Sequence, residues 1–232
     1  MQIVPGVFLV NGFPYRRHQN GYLVQRAGAT ILIDSGDMEE DSFHVVERNC
    51  ARWGVSVPDI SHLFITHAHY DHSSHAARLK ATGTNIVATR STAEAIAAGD
   101  DRCIPYAMNR PFPPCDADIV VSDGEITRVG GLEVRCIAAP GHADGLAIFE
   151  IDMEGEVLWF CGDLMEVGPE CQTLELGWPG GVDFNRPIYI ETLSRLWRMR
   201  CDVLLPGHGP PLIGNGIRLV QMAYKKAMVE WR

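Results

Sequence analysis

Residues 65–75 read ITHAHYDHSSH, which places three histidines and an aspartate (His67, His69, Asp71 and His72) within six positions. The run HLFIT just before His67 has the composition of a strand. In extended chain, residues i and i+2 point to the same side, so the imidazoles of His67 and His69 can reach one ion. Asp71 and His72 stand where the chain is expected to turn into a helix, and a carboxylate is favoured at a helix N-terminus. They diverge from the first pair and suit a second ion close by. Four donors do not complete two sites. A fold for this chain must therefore bring further donors from other strand ends to the same edge.

Three other segments have that form. APGHADG puts His142 on a glycine-bounded turn after a strand expected at 132–138. FCGDL puts Asp163 straight after a strand at 157–161, and LLPGHGP puts His208 straight after one at 203–205. Each is an apolar strand, a turn of small residues, then a donor, and glycine lets the backbone approach an ion closely. His18, His44 and His62 lack this setting and are read as ordinary. His75, one helical turn past His72, is read as surface or core.

Further strands are expected at 7–10, 22–26, 31–34, 85–89, 119–121 and 146–151, and helices at 39–53, 73–82, 188–200 and 217–231. STAE at 91–94 predicts a capping box opening a short helix. Two segments break the rhythm: 100–117, with four prolines, and 165–183, with GWPGG. Each half runs strands first, then helix, strand and helix. This order predicts two stacked sheets with helices outside. No Gly/Ser linker divides the halves, so a single domain over 1–232 is expected.

Composition narrows the function classes. The net charge is −9, which disfavours a phosphate-backbone binder. No apolar run approaches the ~18–20 residues of a spanning helix. The opening MQIVPGVFLVNG lacks a basic, then apolar, leader pattern. The seven cysteines are scattered, with no C-x-x-C pair, and are expected to be reduced. A cytoplasmic location follows as the expectation.

The segments LIDSG, THAHYDH, APGHADG, FCGDL and LLPGHG, in this order and over nearly the whole chain, resemble the metallo-β-lactamase superfamily of dinuclear metallohydrolases. The resemblance implies an α/β fold, an αβ/βα four-layer sandwich with its site along one edge of the sheets. It implies one ion at His67, His69 and His142, a second at Asp71, His72 and His208, and Asp163 bridging both. Asp34 would be buried beside them or merely end its strand. The cofactor implied is two divalent ions, Zn2+ foremost, with Fe or Mn as alternatives. Ions sharing a water lower its pKa from about 15.7 toward ~7. The expected function is thus a metal-dependent hydrolase, whose metal-bridging hydroxide attacks a small acyl substrate: an ester, lactone, thioester or amide. Asp71 would be catalytic, orienting the nucleophile or handling its proton. Cys161 is then packing, not a nucleophile.

Two other readings belong to the same resemblance: a mononuclear iron persulfide dioxygenase-like oxidoreductase using His67, His142 and Asp163, and a phosphodiesterase. Homoserine-lactone lactonases often carry Tyr three residues after the bridging Asp, where this chain has Glu166. Only 24 residues follow His208, which leaves little room for the helical glutathione-binding region of glyoxalase II-type thioesterases. The substrate pocket is expected to involve Tyr70 inside the motif, Tyr106 and Arg110 on the first irregular segment, and Trp178 and Arg186 on or beside the second. An arginine there would hold a substrate carboxylate. Phe13 and Tyr15 would form a further wall. The expected partner is a small-molecule substrate, not nucleic acid or a membrane, and the sequence is compatible with a homodimer.

Overall fold

The computed structural model describes residues 1–231, except the side chain of Glu40. Two seven-stranded sheets carry the architecture. The first runs in chain order: β1 (Gln2–Val4), β2 (Val7–Asn11), β3 (Gly21–Arg26), β4 (Ala29–Ile33), β5 (His62–Phe64), β6 (Asn85–Thr89) and β7 (Ile119–Val121). Its first four strands are antiparallel and the pairs from β4 to β7 parallel. The second contains β8 (Ile126–Val129), β9 (Leu132–Ala138), β10 (Ala147–Met153), β11 (Glu156–Val167), β12 (Leu174–Leu176), β13 (Val203–His208) and β14 (Leu212–Ile213). Its order is β14-β13-β11-β10-β9-β8, with β12 added to β11. Within it only β11 and β13 run parallel.

The period-2 alternation of side chains explains how these sheets stack. In β4, Ile31 and Ile33 face the second sheet, while Leu32 faces outward onto helices. In β11, Leu158 and Phe160 join the inter-sheet core, while Trp159 and Cys161 pack outward. β13 repeats this with Val203 and Leu205 inside and Leu204 outside. Strands apolar on both faces need cover on both. α1 (Glu40–Ala51), α3 (Ala76–Lys80) and α4 (Arg90–Ala98) cover the first sheet. α5 (Arg186–Leu196) and α6 (Ile217–Glu230) cover the second. The result is the expected αβ/βα sandwich. Each fully buried Leu, Ile or Phe in these layers contributes roughly 1.5–3 kcal/mol. Among the described residues no helix is long and apolar enough to cross a membrane.

Besides the short unexpected strands β1, β8 and β14, the structure departs from expectation at three places. The helix expected at 73–82 is two pieces, α2 (Tyr70–Ser73) and α3. The Ser73 hydroxyl donates to the Ala68 and His69 carbonyls at 2.7 and 3.0 Å, and Ser74 bonds back to Tyr70. Such bonds compete with the helical ladder. The capping box at Ser91–Glu94 does not form. α4 starts at Arg90 with Thr89 at its N-cap, because the Thr89 and Thr92 hydroxyls are both spent on the Gly145 carbonyl, at 2.7 and 3.0 Å. Finally, 165–183 is not irregular throughout. β11 continues to Val167 and β12 pairs back on it, with Met165 opposite Leu176 and Val167 opposite Leu174.

Asp163 therefore lies inside a strand rather than after one. The register of β11 against β13 slips around Gly162, which has φ 48°. A Cβ there would stand 2.6 Å from the Thr66 hydroxyl, so the slip depends on glycine.

Candidate metal centre

Parallel pairing brings the C-terminal ends of β4 and β5 to one edge, and those of β11 and β13 meet them there. His67, His69, Asp71 and His72 follow β5, His142 sits on the turn after β9, and His208 is the last residue of β13. The donor atoms of His67, His69, His142 and Asp163 lie within 4.8 Å of one another, and so do those of Asp71, His72 and His208. His69 Nδ1 faces His142 Nε2 at 3.1 Å. Asp163 stands between the groups: its Oδ1 is 3.1 Å from His72 Nε2, and its Oδ2 is 3.2 Å from His208 Nε2, 3.5 Å from His142 Nε2 and 3.9 Å from His67 Nε2. Asp71 Oδ2 lies 3.3 Å from His208 Nε2 and 3.6 Å from His72 Nε2.

These residues fit a metal centre. Nε2 of His67, Nε2 of His72 and Oδ1 of Asp163 are buried without a hydrogen-bond partner. Each unpartnered polar atom in an interior costs roughly 1–3 kcal/mol. Several gathered at one place are relieved together by a shared cation. The far sides of the rings are held so that the near sides stay open. His72 Nδ1 meets Asp34 Oδ2 at 2.8 Å, His208 Nδ1 meets the His18 carbonyl at 3.2 Å, and His67 Nδ1 meets the Thr66 hydroxyl at 3.1 Å. An acceptor on Nδ1 keeps the proton there and turns the Nε2 lone pair inward. Asp34 itself accepts from the Thr66 amide and hydroxyl, both at 2.8 Å.

Electrostatics divides the metal-free cluster in two. Burial, then neighbouring imidazoles, push His67 well below its ordinary value, and burial chiefly takes His69 down to about 4 and His142 to about 3. Burial would also lower His72 and His208. The Asp163 and Asp71 carboxylates outweigh it, so His72 is raised and His208 reaches about 10. Burial opposes ionisation of Asp71 and Asp163 in turn, but His72 and His208 hold both well below the usual carboxylate range.

His208 keeps a proton from its ordinary 6.5 up to about 10 in the metal-free protein. Metal must displace that proton, and the His72 ring is raised in the same direction, so loading near pH 7.5 should release protons, and affinity should fall as pH falls. Calorimetry in two buffers of different ionisation enthalpy counts them. No release would mean that both rings are already neutral.

A family model described as the metallo-beta-lactamase superfamily matches residues 14–208, a span that contains all seven donors. The chain belongs to this superfamily. A metallo-beta-lactamase from Cronobacter sakazakii with a HARLDQ motif superposes with a TM-score of 0.72 at 28% identity, over 90% of this chain and 77% of that one. Its named motif differs from HAHYDH of residues 67–72 at three of six letters, two of them histidines here. A family protein from Thermus thermophilus shares the fold with a TM-score of 0.80, at 21% identity over 98% of this chain and 81% of that one. Among curated relatives, an atrochrysone carboxyl ACP thioesterase of Emericella nidulans is 26% identical over 90% of this chain and 57% of its own length. A hydroxyacylglutathione hydrolase of Methylococcus capsulatus is 33% identical over 71% of this chain and 52% of its own. The chain spans about half the length of the curated relatives it matches.

Around this superfamily centre the five expected pocket residues stand on several segments. Tyr70 packs against the helix-side core of the first sheet. Tyr106 reaches across to the second irregular segment, its hydroxyl donating to the Gly180 carbonyl at 3.3 Å. Arg110 donates to the Met38 carbonyl, and Arg186 lies 5.5 Å from the Trp231 ring. Trp178 is half-exposed, with its ring over Gly180. A cavity of about 420 Å3 opens beside His18 and Gly209, walled by Leu9, Phe13, Val167 and Leu174. None of the five residues lines it, whereas Phe13 does. Tyr15 is turned back, its hydroxyl on the Leu9 carbonyl at 3.2 Å.

His18, read as ordinary from sequence, and Asn20, which the sequence did not single out, belong to the centre's support. His18 is not ordinary: its carbonyl holds His208, and the two rings lie 4.4 Å apart. Asn20 fastens the same turn, its side-chain amide donating to the Pro206 carbonyl at 2.9 Å and the Gly209 carbonyl at 2.7 Å. No sequence signal marks either, because both act from a loop about 190 positions away. His75 is core, against Phe43, and Cys161 is fully buried.

Proposed function

We propose that the chain is a metal-dependent hydrolase of small acyl compounds, thioesters and esters foremost. In this reading His67, His69 and His142 hold one divalent ion, Asp71, His72 and His208 hold another, and Asp163 is shared, with Zn2+ the first candidate. The observation that carries it is the position of Asp163, whose two oxygens lie within 3.9 Å of donors from both groups. A single-iron centre at His67, His142 and Asp163 leaves the converging Asp71, His72 and His208 without a role, which favours two ions.

Ions held there would supply Lewis acidity, lowering the pKa of a water to ~7 and polarising a substrate carbonyl. The chain's own residues do the rest. Asp71 has the most exposed side chain of the seven donors, at 19%, so it can meet the attacking water, orient it and take its proton. Asp34, Thr66 and the His18 carbonyl keep three rings in one tautomer and one orientation. The apolar walls of the cavity beside His18 suit an uncharged acyl or thiol portion.

The preference for thioesters draws on the relatives named as thioesterase and hydroxyacylglutathione hydrolase. The net charge of −9 argues against nucleic acid. The cysteines are free, and all but Cys171 are buried, which agrees with a reducing cytoplasm.

The test joins elemental analysis of protein purified without chelator to kcat/KM on acyl thioesters, esters, lactones and phosphodiesters. Two ions per chain are expected, with acyl substrates ahead of phosphodiesters by at least about tenfold, some 1.4 kcal/mol. Full activity with one ion would remove the dinuclear reading. Phosphodiesters ahead by the same margin would remove the acyl assignment.

A further inference from the structure

His72 and His208 each have an acceptor on the ring nitrogen that faces away from the cluster, whereas His69 has none. Its Nδ1 faces His142, so Nε2 is the nitrogen left to carry the proton, and that atom is buried without a partner. One carboxylate oxygen nearby is in the same state, Oδ1 of Asp183. Both atoms lie 3.3 Å from the point where a Cβ on Gly181 would stand, so they are within twice that distance of each other. They form no direct ion pair. A single water placed between them would accept from Nε2–H and donate to Oδ1.

We infer that Asp183 is the positioning residue for His69, holding its Nε2–H through one bridging water. The inference rests on reading His69 as a metal ligand through Nδ1. The other oxygen of the same carboxylate accepts from the Asp144 amide at 2.9 Å, two residues past His142. Asp183 thus braces two neighbouring donors at once: His142 through its turn and His69 through its ring. A carboxylate behind a ligating imidazole fixes its tautomer and strengthens it as a donor, as Asp34 is placed to do for His72. Gly181 matters because a side chain there would set a carbon 3.3 Å from both atoms, where it would crowd a bridging water.

Two variants test this. Asp183→Ala removes the acceptor. Gly181→Ala fills the gap, with a φ outside the left-handed region and the Asp144 bond left in place. Zinc affinity is read by competition with a chromophoric chelator, and the imidazole N–H signals of the zinc-loaded protein by 1H–15N NMR. The wild type should show a slowly exchanging His69 Hε2 signal. Both variants should lose that signal and bind zinc about 10- to 100-fold more weakly. Unchanged affinity and signal in both, with zinc binding in the wild type, would overturn the inference alone. No zinc binding in the wild type would overturn the metal-centre reading and this inference with it.

Discussion

Asp71→Asn should cut kcat on the best acyl substrate at least about 10²-fold while the protein stays folded. Three properties of the carboxylate are lost together. It is the donor nearest solvent, so it is the one that can meet the attacking water. Its negative charge helps hold His72 and His208, whose pKa values it raises. Its Oδ2 lies 3.3 Å from His208 Nε2 and 3.6 Å from His72 Nε2, where an amide is a weaker ligand and no base. Activity assays beside thermal unfolding separate these effects from misfolding. An unchanged kcat would reduce Asp71 to an acidic residue in the first turn of α2, favoured there by the helix dipole alone.

Asp34→Asn should weaken zinc binding about 10- to 100-fold, with activity at limiting zinc falling in step. Asp34 accepts three hydrogen bonds and donates none: from His72 Nδ1, the Thr66 hydroxyl and the Thr66 amide. An asparagine must set its amide nitrogen against one of these donors. Facing His72, it drives the ring proton onto Nε2, the atom that should face the metal. Facing the Thr66 amide, it leaves a buried N–H unpaired in the segment that delivers His67, at roughly 1–3 kcal/mol. The backbone does not confuse the result. Asp34 has φ 58°, and asparagine is among the few residues that accept this region. Chelator competition measures the shift. Unaltered affinity would leave Asp34 as a strand-end residue only.

Much of the centre is written locally. His67 and His69 two apart at a strand end, and Asp71 and His72 at the turn into a helix, are short-range arrangements that period and propensity reveal. His142, Asp163 and His208 were found because each follows an apolar strand through a small-residue turn. The order of strands and helices in each half predicted two sheets with helices outside, and the alternation of Ile31, Leu32 and Ile33 between the two cores fits it. Local reasoning failed where a distant partner intervened. Ser91–Glu94 has the letters of a capping box, yet Gly145, more than fifty positions on, takes the threonine hydroxyls at the helix start instead. Nor does any local pattern mark the contacts of Arg110 with the Met38 carbonyl and of Arg186 with the Trp231 ring.

The sequence alone thus marked which side chains are candidate donors and which strand ends carry them, because donor chemistry and strand period are properties of a few adjacent residues. Only the tertiary structure decided how those donors pair and what stands behind each ring. The His18 carbonyl behind His208 and Asp34 behind His72 are joined by contacts spanning 190 and 38 positions. Asp163 came to lie between the two groups through the register slip at Gly162, made where β11 packs against β13. Such contacts are selected by how whole sheets close on each other, and no local pattern records them.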